Sequence, residues 1–288
     1  MVIGFIGLGN LGTPIAENIL EKRRQLLVYN RTATKAQPLT EKGATVCGSV
    51  KELASSCDVV LSIVSDDAAL NHIARGADGV AQNLKPGGVH ICISTILPAT
   101  ASQLTQLHKQ HNNHYIASPV MGRPEAARAR KLNFLVAGQK DVVDGIKPLL
   151  QDAGGAGVWD FGNEPQTANV AKLCSNFLIM SAIESMAEGI NLAKKSKLDP
   201  NVWMNVLTQS LFAAPIYINY GNILLKEQYM PAGFTLRLGL KDVNLVMAQA
   251  AQVEATMPVG EFLQQRLNEG VANGLAEHDW TAVALMLK

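Results

Sequence analysis

At 288 residues the chain can hold one large domain or two ordinary ones. A hydrophobic share of 48% fits a well-packed globular protein, and a low charged share of 17% points to much buried helix surface. A formal net charge of +1 gives no electrostatic reason to expect nucleic acid or an anionic membrane as partner.

Short apolar runs punctuate the first half. In chain order they are residues 2–6, 26–30, 58–64, 88–94 and 114–119, most of them rich in β-branched residues. Segments with helical spacing lie between them, for example Leu11, Ile15, Ile19 and Leu20. Strands alternating with helices predict a parallel sheet covered on both faces. Two more candidate strands follow, at 133–138 and 157–162.

Beyond Gly162 the character changes. From Glu164 to about Ser196 the chain has no proline after Pro165, and apolar residues lie on most faces. Such a helix would be about 45–50 Å long, and it is too apolar all round to stand in water. Asp199 suits an N-cap and Pro200 the first position of the next helix. Further helices are expected at 200–212, 236–254, 258–273 and 280–287. The expected architecture is α/β: a Rossmann-type, doubly wound, mostly parallel sheet domain over 1–162, then an all-helical domain over 163–288. A long interdomain helix joins them. So much apolar helix surface predicts a homo-oligomer, dimer or tetramer.

The four cysteines, Cys47, Cys57, Cys92 and Cys174, form no C-x-x-C pair and have no histidine cluster beside them. That spacing argues against a zinc site and for buried, reduced thiols. The six histidines suggest no constellation. The N-terminus has no basic n-region, so no signal peptide is expected. The hydrophobic region from Val170 to Ala193 is interrupted by Lys172, Asn176, Glu184 and Glu188, which speaks against a membrane span. A soluble, cytoplasmic protein is expected.

The opening strand runs into Gly7-Leu8-Gly9-Asn10-Leu11-Gly12, a G-x-G-x-x-G pattern that opens a helix. Gly7 suits a tight turn, Gly9 a close approach of pyrophosphate to backbone, and Gly12 close helix–strand packing. The helix N-terminus offers N–H donors to phosphates. An NAD site usually ends the second strand with an acidic residue that bonds the ribose 2′-OH. Here the strand ends Tyr29-Asn30-Arg31-Thr32, with no carboxylate. Arg31 offers a donor fork suited to a 2′-phosphate, with Asn30 and Thr32 as further donors. NADP(H) is therefore the expected cofactor, with NAD(H) as the alternative. Val64, Ser65 and Asp66 follow a strand end, where ligands of open α/β sheets gather.

Lys172 and Asn176 are four apart and share one face of the long helix. A lysine on an apolar helix is costly to bury, and burial lowers its pKa toward the range useful for proton transfer.

Together these segments resemble the β-hydroxyacid dehydrogenases, which include 3-hydroxyisobutyrate dehydrogenase and the glyoxylate/succinic semialdehyde reductases. The 6-phosphogluconate dehydrogenases and imine reductases are related. The resemblance spans essentially the whole chain. Residues 93–98, with Thr95, look like the family's S-T-x-x-P segment near the nicotinamide. Ser118-Pro119-Val120-Met121-Gly122 looks like its substrate loop. Residues 172–176 look like the K-L-x-x-N catalytic helix, and 241–245, with Lys241, like the K-D-x-x-L segment near the cofactor. The resemblance implies an NAD(P)-dependent enzyme acting on a small carbonyl or hydroxy acid, with Lys172 as general acid–base and no metal.

The substrate loop departs from the pattern. Met121 stands where the family has a serine, Arg123 where a small residue is usual, and Arg130 at the place of a glycine. Methionine cannot donate a hydrogen bond to a substrate carboxylate. Arg123 offers a bidentate replacement or is a surface residue. Tyr217, Tyr220 and Phe234 read as core or interface aromatics. Two other readings stay open: an imine reductase-like enzyme, and a non-catalytic dinucleotide-binding protein.

Overall fold

The computed structural model describes residues 1–287. Six parallel strands form the main sheet: β1 (Ile3–Ile6), β2 (Leu27–Tyr29), β3 (Thr45–Val46), β4 (Val59–Ser62), β5 (Val89–Cys92) and β6 (His114–Ala117). Their order is β3-β2-β1-β4-β5-β6, so the strand order reverses beside β1, where dinucleotides bind in doubly wound sheets. The helices between the strands are α1 (Gly12–Arg23), α2 (Gln37–Thr40), α3 (Val50–Ser56), α4 (Asp67–Ala74), α5 (Val80–Asn83) and α6 (Pro98–Gln110). Alternation along the strands loads both faces. Ile3, Phe5, Val28, Leu61 and Ile91 belong to one apolar cluster. Ile6, Val60, Cys92 and Ala117 belong to the other, with Leu53 of α3, Leu70 of α4 and Leu104 of α6.

A second, smaller sheet follows, made of β7 (Val120–Met121), β8 (Leu132–Val136) and β9 (Gly155–Asp160), with α7 (Pro124–Arg128) and α8 (Lys140–Asp152) between them. β8 runs antiparallel to β7 and parallel to β9. The candidate strands at 133–138 and 157–162 thus build a sheet of their own, linked to the first by the bridge between Ala117 and Ala137.

The helical part comprises α9 (Gln166–Lys195), α10 (Pro200–Thr208), α11 (Pro215–Lys226), α12 (Leu236–Gln252) and α13 (Pro258–Ala272). Its core includes Met180, Ile183, Leu224, Val243, Leu263 and Trp280. Asp199 caps α10 by accepting from Asn201 N, with Pro200 in the first turn. α10 ends at Thr208, short of the expected 212, and α11 was not expected. Its Tyr217, Tyr220 and Gly221 are weak helix formers. The last segment, Trp280–Met286, is a 3₁₀ helix rather than an α-helix. Asp279 Oδ1 takes both the backbone N–H and the hydroxyl of Thr281, which tightens its first turn.

The chain divides into two compact units at Lys172/Leu173, inside α9 and beyond Gly162. The reason is local: Ala168 and Ala171, in the first turns of α9, pack with the apolar cluster of the α/β unit. By length and composition α9 could cross a membrane, but 44% of its most apolar window is buried. Within the helical unit it carries a buried ion pair, Glu184 to Arg266 at 2.8 Å, which suits a core helix. Burial pushes the Glu184 carboxyl above its usual range.

Candidate active site

The glycines of the opening turn do different work. Gly7 has φ +100°, and a Cβ there would lie 1.9 Å from Ile63 O. A Cβ on Gly12 would lie 2.0 Å from Gly7 O. Both are required by the protein's own packing. A Cβ on Gly9 would meet nothing within 4 Å, so its bare backbone lies open to a ligand. α1 starts beside it with no side-chain cap at Leu11 and no acidic residue in its first turn. Thr13 N donates to Gly9 O, Ile15 N to Leu11 O, and Pro14 has no N–H, so the N–H groups of Leu11 and Gly12 are the ones left for an anion, and these features fit a dinucleotide pyrophosphate. Leu8 is buried, so it can meet a cofactor only through backbone, whereas Leu11 is half-buried against the same cluster. Asn10 is exposed.

At the end of β2 the three candidate donors separate. Asn30 Oδ1 accepts from Leu8 N at 2.8 Å, and its amide donates to Thr32 O at 2.9 Å. Asn30 thereby ties the glycine turn to β2. Arg31 and Thr32 are exposed, and among the described residues no hydrogen bond or ion pair holds the Arg31 guanidinium.

The carboxyl ends of β4 and β5 are joined by Ser94, whose Oγ accepts from Val64 N at 2.8 Å. Ser65 Oγ donates to Asp66 Oδ2, and Asp66 caps α4 through Ala69 N. Asp67 Oδ1 accepts from Leu97 N and from the Thr100 hydroxyl. The segment that carries half-buried Thr95 is therefore pinned on both sides.

Ser118 follows β6 directly; its Oγ is buried and has no hydrogen-bond partner. Met121 pairs with Asn133 in the second sheet. Gly122 has φ +139°, and a Cβ would lie 2.5 Å from Leu132 Cδ2, so glycine is required there. The Arg123 side chain is only 21% exposed, with Nε 3.8 Å from Glu125 Oε2, which is not a solvated surface residue. Arg130 holds φ +54°, the left-handed region that a glycine enters easily. Its guanidinium bonds Asp152 O and Glu21 Oε2, which anchors it structurally.

Lys172 is half-buried on α9 and Asn176 is buried one turn later. Asn176 Nδ2 donates to Asp242 Oδ2 at 2.5 Å, and Lys241 Nζ lies 2.6 Å from Asp242 Oδ1. Asp242 is 2% exposed. This carboxylate fixes which way the Asn176 carboxamide points, leaving Oδ1 and one N–H for other partners. The sequence reading singled out Lys241 and passed over its neighbour. The signal was the acidic residue inside the K-D-x-x-L segment itself. Asn169 was also missed: it is buried, with Oδ1 unpartnered, and it lies seven residues, two helical turns, before Asn176.

The histidines do form a constellation. Ser62 Oγ lies 2.8 Å from His90 Nε2, His90 Nδ1 lies 3.0 Å from His108 Nε2, and His108 Nδ1 lies 2.6 Å from Asn113 Oδ1. Burial depresses both imidazoles, His90 well below its usual value and His108 to about 4. Cys47, Cys57 and Cys92 are buried as expected, but Cys174 is exposed on α9. Phe234 and Tyr220 stack edge-on against Trp280 in the helical core.

Residues 2–162 match the family model described as the NAD binding domain of 6-phosphogluconate dehydrogenase. Residues 167–287 match that described as NAD-binding of NADP-dependent 3-hydroxyisobutyrate dehydrogenase. An uncharacterized oxidoreductase of Bacillus subtilis is 36% identical over 288 residues, covering 100% of both chains. Glyoxylate/succinic semialdehyde reductase 2 of Arabidopsis thaliana is 30% identical, over 99% of this chain and 79% of its own. The solved 3-hydroxyisobutyrate dehydrogenase of Mycobacterium tuberculosis, with L-serine, superposes with a TM-score of 0.88 at 24% identity, over 100% of both chains. The structure named Psf3, in complex with NADP+ and 2-OPP, gives 0.90 at 24%, again over 100% of both.

Proposed function

The chain belongs to the β-hydroxyacid dehydrogenase family of NAD(P)-dependent oxidoreductases, and on that premise we propose an NADP(H)-dependent reductase of small aldehyde or keto acids. The observation that carries this reading is Asn176, one turn from Lys172 on α9 and oriented by the buried Asp242 carboxylate. A pure binding module has no need of such an arrangement.

When bound, the nicotinamide supplies or accepts the hydride. Lys172 donates a proton to the carbonyl oxygen in reduction and takes it back in oxidation. Asn176 holds that oxygen, or the lysine, with the valences that Asp242 leaves open. Gly7, Gly9 and Gly12, with the first N–H groups of α1, hold the pyrophosphate; Arg31 and Thr32 face the 2′-phosphate; Val64, Ser65, Thr95 and Lys241 complete the cofactor contacts. Ser118, Gly122 and Arg123 bind substrate, with Arg123 taking the carboxylate that Met121 cannot hold.

Self-association through the helical unit belongs to the same reading. Leu178 and Leu192 of α9 are 64% and 68% exposed, and Val202 and Val206 of α10 are 58% and 59% exposed. Light scattering after gel filtration is expected to give a dimer or tetramer.

The test of the reaction is a panel of short carbonyl acids, including glyoxylate and succinic semialdehyde, offered with NADPH or NADH. NADPH consumption with at least one of them supports the reading. Tight NADPH binding with no turnover on any of them contradicts it.

A further inference from the structure

Four asparagines are buried: Asn18, Asn113, Asn169 and Asn176. Three have clear partners. Asn18 donates to Ala127 O and Ala153 O. Asn113 donates to Ala81 O and Leu84 O and meets His108 through Oδ1. Asn176 donates to Asp242. Asn169 is 1% exposed, yet its Oδ1 has no partner. A buried carboxamide oxygen without a donor is costly, and a ligand that supplies the donor removes that cost.

Its place says where that donor comes from. At 100° per residue, Asn169, Lys172 and Asn176 fall within an arc of about 60° on α9. Farther along the same arc stand Met180, Ile183 and Ala187, all apolar and buried. Until exposed Lys194 in the last turn, this face is polar over the turns that carry the proposed acid–base and apolar beyond them. Ala168 and Ala171, on either side of Asn169, pack in the cluster that holds Cys92, Ile96 and Ala117. Cys92 and Ala117 are the last residues of β5 and β6. The first turns of α9 therefore belong with the carboxyl edge of the sheet, where ligands of such sheets bind. Ser118, next after Ala117, contributes a second buried and unpartnered polar atom, Oγ.

We propose that Asn169 is a ligand-reading residue of this site, whose Oδ1 accepts a hydrogen bond from an N–H or O–H group of the bound cofactor or substrate. This rests on the reductase reading above. The oxygen on the reacting carbon belongs to Lys172, so the donor is another group: the primary amide of the nicotinamide, or a hydroxyl on the substrate beside the reacting carbon. Both are the same chemistry, a neutral donor for a neutral acceptor.

The variants Asn169→Leu, which removes the acceptor at similar volume, and Asn169→Asp, which keeps an acceptor, separate the outcomes. Asn169→Ala serves in place of the leucine variant if melting shows that the latter does not fold. Dissociation constants are read by isothermal titration with NADPH and with its reduced 3-acetylpyridine analogue, whose methyl ketone has no N–H. If the nicotinamide amide is the donor, Asn169→Leu weakens NADPH about ten-fold, the scale of one lost hydrogen bond, and leaves the analogue unchanged; Asn169→Asp retains most of the affinity. If the substrate is the donor, both cofactor constants stay put. KM for hydroxypyruvate then rises about ten-fold in Asn169→Leu, while KM for pyruvate does not move. A folded Asn169→Leu protein with unchanged cofactor constants and an unchanged KM ratio overturns the proposal. Wild-type protein that turns over no substrate defeats the reductase reading alone, because a selective loss of NADPH affinity in Asn169→Leu would still stand.

Discussion

In the α/β unit a buried polar chain runs from Ser62 through His90 and His108 to Asn113; in the helical unit another runs from Asn176 through Asp242 to Lys241. The first is neutral and closed. Asn113 donates its amide to Ala81 O and Leu84 O, so its Oδ1 must accept from His108 Nδ1. His108 Nε2 then accepts from His90 Nδ1, and His90 Nε2 from the Ser62 hydroxyl. Every tautomer follows from its neighbour, and the chain pins α6 to β5. The second holds a carboxylate at 2% exposure and leaves valences of Asn176 open. A closed neutral network builds architecture. The buried carboxylate of Glu184, paired with Arg266, has no such neighbour with open valences among the described residues, and it is the open valences of Asn176 that set the Asp242 cluster apart.

The contrast can be tested by substitution. Lys172 apart, the largest effect is expected from Asp242→Ala: kcat/KM falls about a hundred-fold as Asn176 loses its orientation and Lys241 its partner, while NADPH binding changes less. Unchanged steady-state kinetics would make the cluster merely structural.

Next come the two glycines. Gly12→Ala drives a methyl to 2.0 Å from Gly7 O and should lower both the melting temperature and NADPH affinity. Gly9→Ala meets open space, so only NADPH affinity should fall, by about ten-fold or more. Equal melting losses in the two would contradict that division.

The histidine chain predicts an acid response. Unfolded histidine takes up its proton near pH 6.5, whereas folded His108 does so only at about 4. Between those values the unfolded chain binds more protons, so stability falls as pH drops from 6.5 toward 4. The slope should flatten in His108→Gln, as melting curves across that window would report. The smallest effect belongs to Arg31→Ala: an about ten-fold loss of preference for NADPH over NADH, with NADH binding unmoved.

The parts most legible in the sequence are those fixed by near neighbours. The glycine turn and α1 follow from spacing within a dozen residues, and the α10 cap from the pair Asp199-Pro200. β3 and β7, of two residues each, carry no periodicity to read. The histidine chain joins residues 28, 18 and 5 apart, and Asn176 meets Asp242 across 66. Such pairs exist only after the fold has formed. The spacing of Lys172 and Asn176 suggested a shared face, but not that a carboxylate orients one of them. The division inside α9 was hidden for the same reason: the sequence marks where the helix begins, not which of its turns each core claims.

The most direct measurement is single-turnover reduction with NADPH-loaded protein, wild type beside Lys172→Ala, on a substrate from the panel, with NADPH affinity titrated for both. The account predicts that the variant binds NADPH as the wild type does and reduces the carbonyl about 10²–10⁴-fold more slowly. A variant that binds NADPH normally and reduces the substrate at the wild-type rate would contradict it.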